Sequence, residues 1–148
     1  MEAQLIKNYE KAFKNLIAEN LNSDKPDYNW ITELYSEIKM RLQKLVLPTN
    51  KLHVEMEENL DPVLFRQMLE FKVFSSNDFE KLLNFVFKMC LQLGSPGRDA
   101  DVLEIKKNIN EMYQNGFTFH QIVGEFIFQI NKIIDWIYMD IQNLVVSI

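Results

Sequence analysis

Apolar residues recur along this chain at intervals of three and four, with no stretch of simple alternation, so the pattern predicts helices and no strands. Leu5, Ile6, Tyr9, Phe13, Leu16 and Ile17 trace one face of a first amphipathic helix. The polar run Asn22-Ser23-Asp24-Lys25-Pro26-Asp27 breaks it and offers caps for the next. A second helix carries Trp30, Ile31, Leu34, Ile38, Leu42 and Leu45 until Pro48 stops it. A shorter piece follows around 52–59, and Asp61-Pro62 opens another that ends near Lys72.

Ser75-Ser76-Asn77-Asp78 signals the start of a helix with Phe79, Leu82, Leu83, Val86, Cys90 and Leu93 on one side. Gly94-Ser95-Pro96-Gly97 is the clearest loop. Asp99 begins or sits just inside the next helix, which is expected to bury Val102, Leu103, Ile109 and Met112 and to end at Asn115-Gly116. Thr118 and Gln121 form a capping box for the last helix. There Val123, Ile127, Ile130, Ile134, Ile137, Ile141, Leu144 and Ile148 keep a four-three alternation, the stripe of a helix packed along a neighbour at a shallow angle. About 30 residues of helix would run ~45 Å. A domain of this size is only ~40 Å wide, so the helix is long enough to overhang it. The expected fold is all-α: a single domain over residues 1–148, an irregular bundle of six or seven helices with a long C-terminal helix.

Composition agrees. Four Gly and four Pro in 148 residues leave little material for hairpins, and 47% hydrophobic content supports a sizeable core. The net charge of −5, with arginine only at Arg41, Arg66 and Arg98, argues against nucleic acid as a partner. A single cysteine, Cys90, excludes an internal disulfide and points to a reducing, cytoplasmic setting. The N-terminal MEAQLIKNYEKAF has no apolar signal core, and Glu125, Lys132, Asp135 and Asp140 interrupt the most apolar stretch. A soluble chain without membrane insertion is the expectation.

Candidate chemistry is sparse. Cys90 with His53 or His120 as base is the one nucleophile arrangement available. Cys90, however, shares an apolar stripe with Val86 and Leu93, the setting of a buried, inert thiol. His120 falls in the first turn of a helix, where the dipole disfavours a positive charge. His53 and Glu57 lie four apart on one face, but a di-iron bundle needs Glu-x-x-His, and Asn50 and Phe117 stand three residues before the two histidines. GSPGRD lacks the lysine of a phosphate loop. No catalytic residue, cofactor or metal is therefore expected. What remains is surface: Phe126, Phe128, Trp136, Tyr138 and Met139 lie off the heptad stripe, and those the bundle leaves uncovered would form an aromatic patch suited to a partner.

The order of short motifs resembles the T-complex protein 11 family domain. Lys25-Pro26-Asp27-Tyr28 looks like that family's Pro-Pro-Asp-Tyr entry into a helix, and Glu37-Ile38-Lys39 running to Leu47-Pro48 like the helix that follows. Glu57-Glu58-Asn59-Leu60-Asp61 is similar to its Glu-Glu-Val-Leu-Asp. Ser95-Pro96-Gly97-Arg98-Asp99, followed by Asp101-Val102, resembles its Cys-Ala-Pro-x-Arg-Asp-Glu-Glu-Val loop, with Gly94 at the frequent cysteine and Ala100 at the first glutamate. Met139-Asp140 to Ser147-Ile148 resembles its Met-Asp-x-x-Asn helix. The likeness covers nearly the whole chain but only the N-terminal portion of a much longer family domain.

That resemblance implies a non-enzymatic helical signalling or scaffold protein, of a family associated with cyclic-AMP/protein kinase A signalling and sperm function. The leading reading is a non-catalytic protein-interaction domain with Pro96, Arg98, Asp99, Phe128, Trp136 and Met139 as candidate contacts. In the loop, Asp99 favours the next helix's amides and Arg98 clamps a carbonyl or carboxylate across the junction, so a structural role competes with a binding one. Three other readings stand beside it. One is a compact viral or bacterial homologue that binds a host protein in the host cytosol. The others are a homodimer and a thiol-dependent enzyme using Cys90 and His120.

Overall fold

Capping side chains set most of the helix starts. The computed structural model describes residues 2–72 and 75–147, opening with α1 (Glu2–Leu21). Asp27 accepts from the Trp30 amide at 3.0 Å and begins α2 (Tyr28–Gln43); Asn50 accepts from Leu52 at 2.8 Å and begins α3 (Lys51–Asn59). Asp61 takes the Val63 and Leu64 amides, with Pro62 as first residue of α4 (Pro62–Glu70). Ser75 caps α5 (Ser76–Leu93) through the Asp78 amide, and a 3-10 turn at Pro96–Arg98 leads into α6 (Asp99–Gln114). The Thr118–Gln121 box closes in both directions, at 3.0 and 3.2 Å, and launches α7 (Phe119–Ser147). Among the described residues there is no strand, and the fold is all-α as expected.

Helix ends follow equally local rules. Gly116 adopts a left-handed φ of 79°, and the Phe117 amide returns to the Met112 carbonyl at 3.1 Å, which ends α6. One end differs from expectation: α2 stops at Gln43, not at Pro48. A proline clashes with the carbonyl four residues back and pushes the residue before it out of the helical region. The chain therefore tightens over Leu45 and Val46, whose amides bond three residues back.

The bundle is organised on α7. Ile122, Val123, Phe126, Ile127, Ile130, Ile133, Ile134 and Ile137 are all buried, so this helix is covered on more than its heptad stripe. α1 runs antiparallel to it, pairing Lys14 with Glu125, Phe13 with Phe128 and Glu10 with Gln129. The two backbones meet at Gly124, where a Cβ would stand 2.8 Å from the Lys14 carbonyl oxygen. α2, α5 and α6 take further sides of α7. Phe79 of α5 meets Phe119 and Phe126 edge-on at 5.4 and 5.5 Å, and Tyr35 of α2 stacks on Phe65 of α4 at 4.1 Å.

Several residues on predicted apolar faces are open. Leu5, Ile6, Tyr9 and Leu16 of α1 are more than half exposed, because the bundle covers that stripe only toward Ile17 and Leu21. Leu103, expected in the core, is 49% exposed: α6 buries Val102 and Ile109, and the next residue turns ~100° away. Ile141 and Leu144 continue the α7 stripe but are 44% and 66% exposed. The helix of 29 residues is ~43 Å long at 1.5 Å per residue, and its last turns pass beyond the helices that cover its middle. Ile148, the final position of the stripe, lies outside the described residues.

Candidate protein-docking face

Between α1, α2 and α7 lies an open groove of about 480 Å³. Phe128 and Asp135 of α7 form its floor, Ile6, Tyr9 and Phe13 one wall, and Leu34 and Glu37 the other. The aromatic lining is ordered: Tyr9 stacks on Phe13 at 6.3 Å, Phe13 meets Phe128 at 6.0 Å, and the Lys14 ammonium lies 5.7 Å from the Phe128 ring. Lys14 is also held by Glu125 at 2.7 Å and Glu10 at 3.3 Å. Burial lowers its pKa, but these carboxylates outweigh that and raise it overall. On the other side Arg41 of α2 donates to Asn131 at 2.9 Å and to Asp135 at 2.5 Å, while the Tyr138 hydroxyl donates to the Arg41 carbonyl at 2.8 Å. The floor helix is thus pinned from both walls, and the groove between them is preformed.

A second feature of α7 lies roughly a third of a turn round the helix. Arg98 donates from Nε and Nη2 to the two oxygens of Asp140, both at 3.1 Å, with its guanidinium 5.0 Å from the Trp136 ring. The paired hydrogen bonds hold the Asp140 carboxyl below its usual range and raise the Arg98 pKa. Lys132 places its ammonium 5.3 Å from the same indole.

The six candidate contacts therefore fall into two groups. Arg98 and Trp136 meet each other at the loop–α7 junction, Asp99 begins α6 beside them, and Pro96 lies exposed in the turn. Phe128 belongs to the groove, and Met139, 45% exposed, follows Phe128, Lys132 and Asp135 at four- and three-residue steps on the same face.

The thiol arrangement is not assembled. Cys90 is 1% exposed, burial pushes its thiol up to about 12, and it lies against Ile133, Trp136 and Ile137. His120 is at the other end of α7, ~20 Å before Ile133 along the helix axis. Its pKa is lowered, first by burial and then by Lys72. Glu57 turns to Gln43 at 2.8 Å and Lys39 at 3.2 Å, bonds that lower its pKa. Among the described residues no cluster of three or more His, Cys, Asp or Glu side chains forms a metal site. No described helix is long and apolar enough to cross a membrane.

Sequence reading missed the contributions of α1 and α2 to this face. Ile6, Tyr9 and Phe13 recur at steps of three and four and read as core. That Ile6 and Tyr9 stay 61% and 66% exposed depends on which helices flank α1, and a single helix's periodicity carries no such information.

The model of the T-complex protein 11 family matches residues 2–148, essentially the whole chain. The chain belongs to the T-complex protein 11 family. It is 33% identical over 96 residues to the human T-complex protein 11-like X-linked proteins 1 and 2, covering 64% of this chain and 18% of each of theirs. It is 32% identical over 107 residues to the human T-complex protein 11 homolog, covering 72% of this chain and 21% of that protein. The chain thus spans about a fifth of the curated relatives it matches. No solved structure matches it. The T-complex protein 11 family is not a known enzyme family.

Proposed function

We propose that this chain is a non-catalytic protein-interaction domain that docks a partner on the groove between α1, α2 and α7. The observation that carries this reading is a preformed, largely apolar groove whose outer wall exposes Ile6 and Tyr9. Total surface supports it. A compact monomer of 17.6 kDa exposes about 7,900 Å² by size scaling, whereas this chain exposes 9249 Å². The excess fits the open stripe of α1 and the overhanging turns of α7, where Leu144 and Val145 are both 66% exposed. Membership of the T-complex protein 11 family supports placing this docking in signalling, of the cyclic-AMP/protein kinase A kind that the family resemblance implies. The Arg98–Asp140 junction serves it indirectly, by fixing the angle of α7.

Ile6→Asp and Tyr9→Asp test the reading, since both side chains line the groove, are substantially exposed and are not needed by the fold. Both variants should keep wild-type helicity and lose a partner that the wild type retains in affinity capture. Unchanged capture by both would remove the groove from the account.

A further inference from the structure

Tyr35 carries a polar group that neither the packing of the bundle nor the docking groove uses. Its ring stacks on Phe65 at 4.1 Å and both residues are 2% exposed, yet its hydroxyl has no hydrogen-bond partner among the described residues. A phenol so placed needs a partner from outside the chain. Tyr35 lines a second pocket, of about 170 Å³, between α2, α4 and α5. That pocket has no lining residue in common with the groove against α1 and α7.

The α3–α4 junction brings two further acceptors to the same pocket. Leu60 is buried there, which holds its neighbours Asn59 and Asp61 in place at the lining. Asn59 donates from Nδ2 to the Glu55 carbonyl at 2.8 Å, so its Oδ1 is left to accept. Asp61 caps α4 through Oδ1, so its Oδ2 is left as well. Burial, and after it the charge of Asp61, raises the Tyr35 pKa, so the phenol stays protonated with the carboxylate close enough to act on it. Asp78 and Lys81 on the α5 side add one charge of each sign, which leaves the surplus negative charge with Asp61. Most of the remaining lining is apolar, Leu64, Phe65, Leu82 and Phe85 among it.

This donor set suits an organic cation better than a metal ion. Ca²⁺ and Mg²⁺ take about six or more oxygen ligands, and the described residues form no cluster of His, Cys, Asp or Glu that could hold a metal. An ammonium has three N–H donors and is compatible with aromatic faces such as those of Phe65 and Phe85. A cavity of about 150 Å³ accepts benzene, which sets the size of the apolar part. We propose that this pocket binds a small primary amine in its ammonium form, with a compact apolar body and an –NH₃⁺ that donates to Asp61 and Tyr35 beside Asn59.

The test titrates the full chain against benzylamine, benzoate and benzyl alcohol by ligand-detected NMR at pH 7. Benzylamine should bind at millimolar concentration or below, roughly tenfold or more tighter than benzoate. Tyr35→Phe keeps the ring stacked on Phe65, and Asp61→Asn keeps a good cap on α4, so both variants should fold as the wild type does. Each should weaken benzylamine severalfold, and Asp61→Asn should also erase its advantage over benzyl alcohol. Benzoate binding as tightly as benzylamine overturns the proposal. So does the absence of binding by all three, which would leave a pocket for water only. Benzylamine binding that ignores both variants, or that Tyr9→Asp removes, puts the amine elsewhere and overturns it too.

Discussion

Arg98 holds both oxygens of Asp140, joining the turn before α6 to the last described turns of α7. The pair lies 42 residues apart in sequence, and each side chain is about three-quarters covered, with 30% and 26% remaining exposed. Asp140→Asn should lower the thermal midpoint at pH 7 by a few degrees. Because the Asp140 pKa is lowered in the fold, its contribution is present above the ordinary carboxylate pKa of ~3.9 and is lost as pH falls through the folded value. Melting wild type and variant at pH 7 and again near pH 3 should therefore show a gap that closes in acid. Arg98→Lys, which keeps the charge but not the planar fork, should fall between them.

Helix approach at Gly124 allows a sharper expectation. A methyl group there would sit 2.8 Å from the Lys14 carbonyl oxygen, whereas at Gly97 the nearest atom is the Ser95 hydroxyl at 3.7 Å. Gly124→Ala should cost about 1–3 kcal/mol by forcing α1 off α7. Gly97→Ala should change stability by less than about 0.5 kcal/mol. Denaturant unfolding of the two variants beside wild type checks both values.

The stripe of α7 divides at its end. Ile134 is fully buried and Leu144 is 66% exposed although the two share one heptad pattern. Ile134→Ala should cost ~2–5 kcal/mol as a cavity in the core, and Leu144→Ala less than about 0.5 kcal/mol. Equal losses in urea melts would mean that the overhang is covered.

Cys90 should behave as packing. With its thiol raised to about 12 by burial, alkylation by iodoacetamide at neutral pH should proceed only as fast as the chain opens, and at full speed in denaturant. Fast labelling of the folded protein would revive a reactive thiol.

Much of this architecture was legible because its signals are local. Thr118 with Gln121, Asp61 before Pro62, Ser75 before Asp78 and Gly116 after Asn115 each fix a helix end through neighbours a few residues away. The stripe from Val123 to Ile137 was readable for the same reason. What escaped depends on third parties. Periodicity shows that Tyr9 and Leu16 share an apolar face but not that no helix covers it, and it treats Ile141 as it treats Ile134. The junction was half legible: a clamp by Arg98 was expected, and its partner Asp140 emerges only when α7 is laid against the turn. Of the groove, Phe128 could be picked out as an off-stripe apolar residue, while Glu37 gave no signal before α2 was placed.

The groove as docking face is the central claim, and site-specific photocrosslinking tests it most directly. Benzoylphenylalanine would replace Tyr9 in one protein and, as control, Val63, which is 67% exposed on α4 and outside the groove lining. Irradiation in native extract should give a discrete adduct from position 9 and none from position 63. The same adducts from both positions, or one from position 63 alone, would contradict the account.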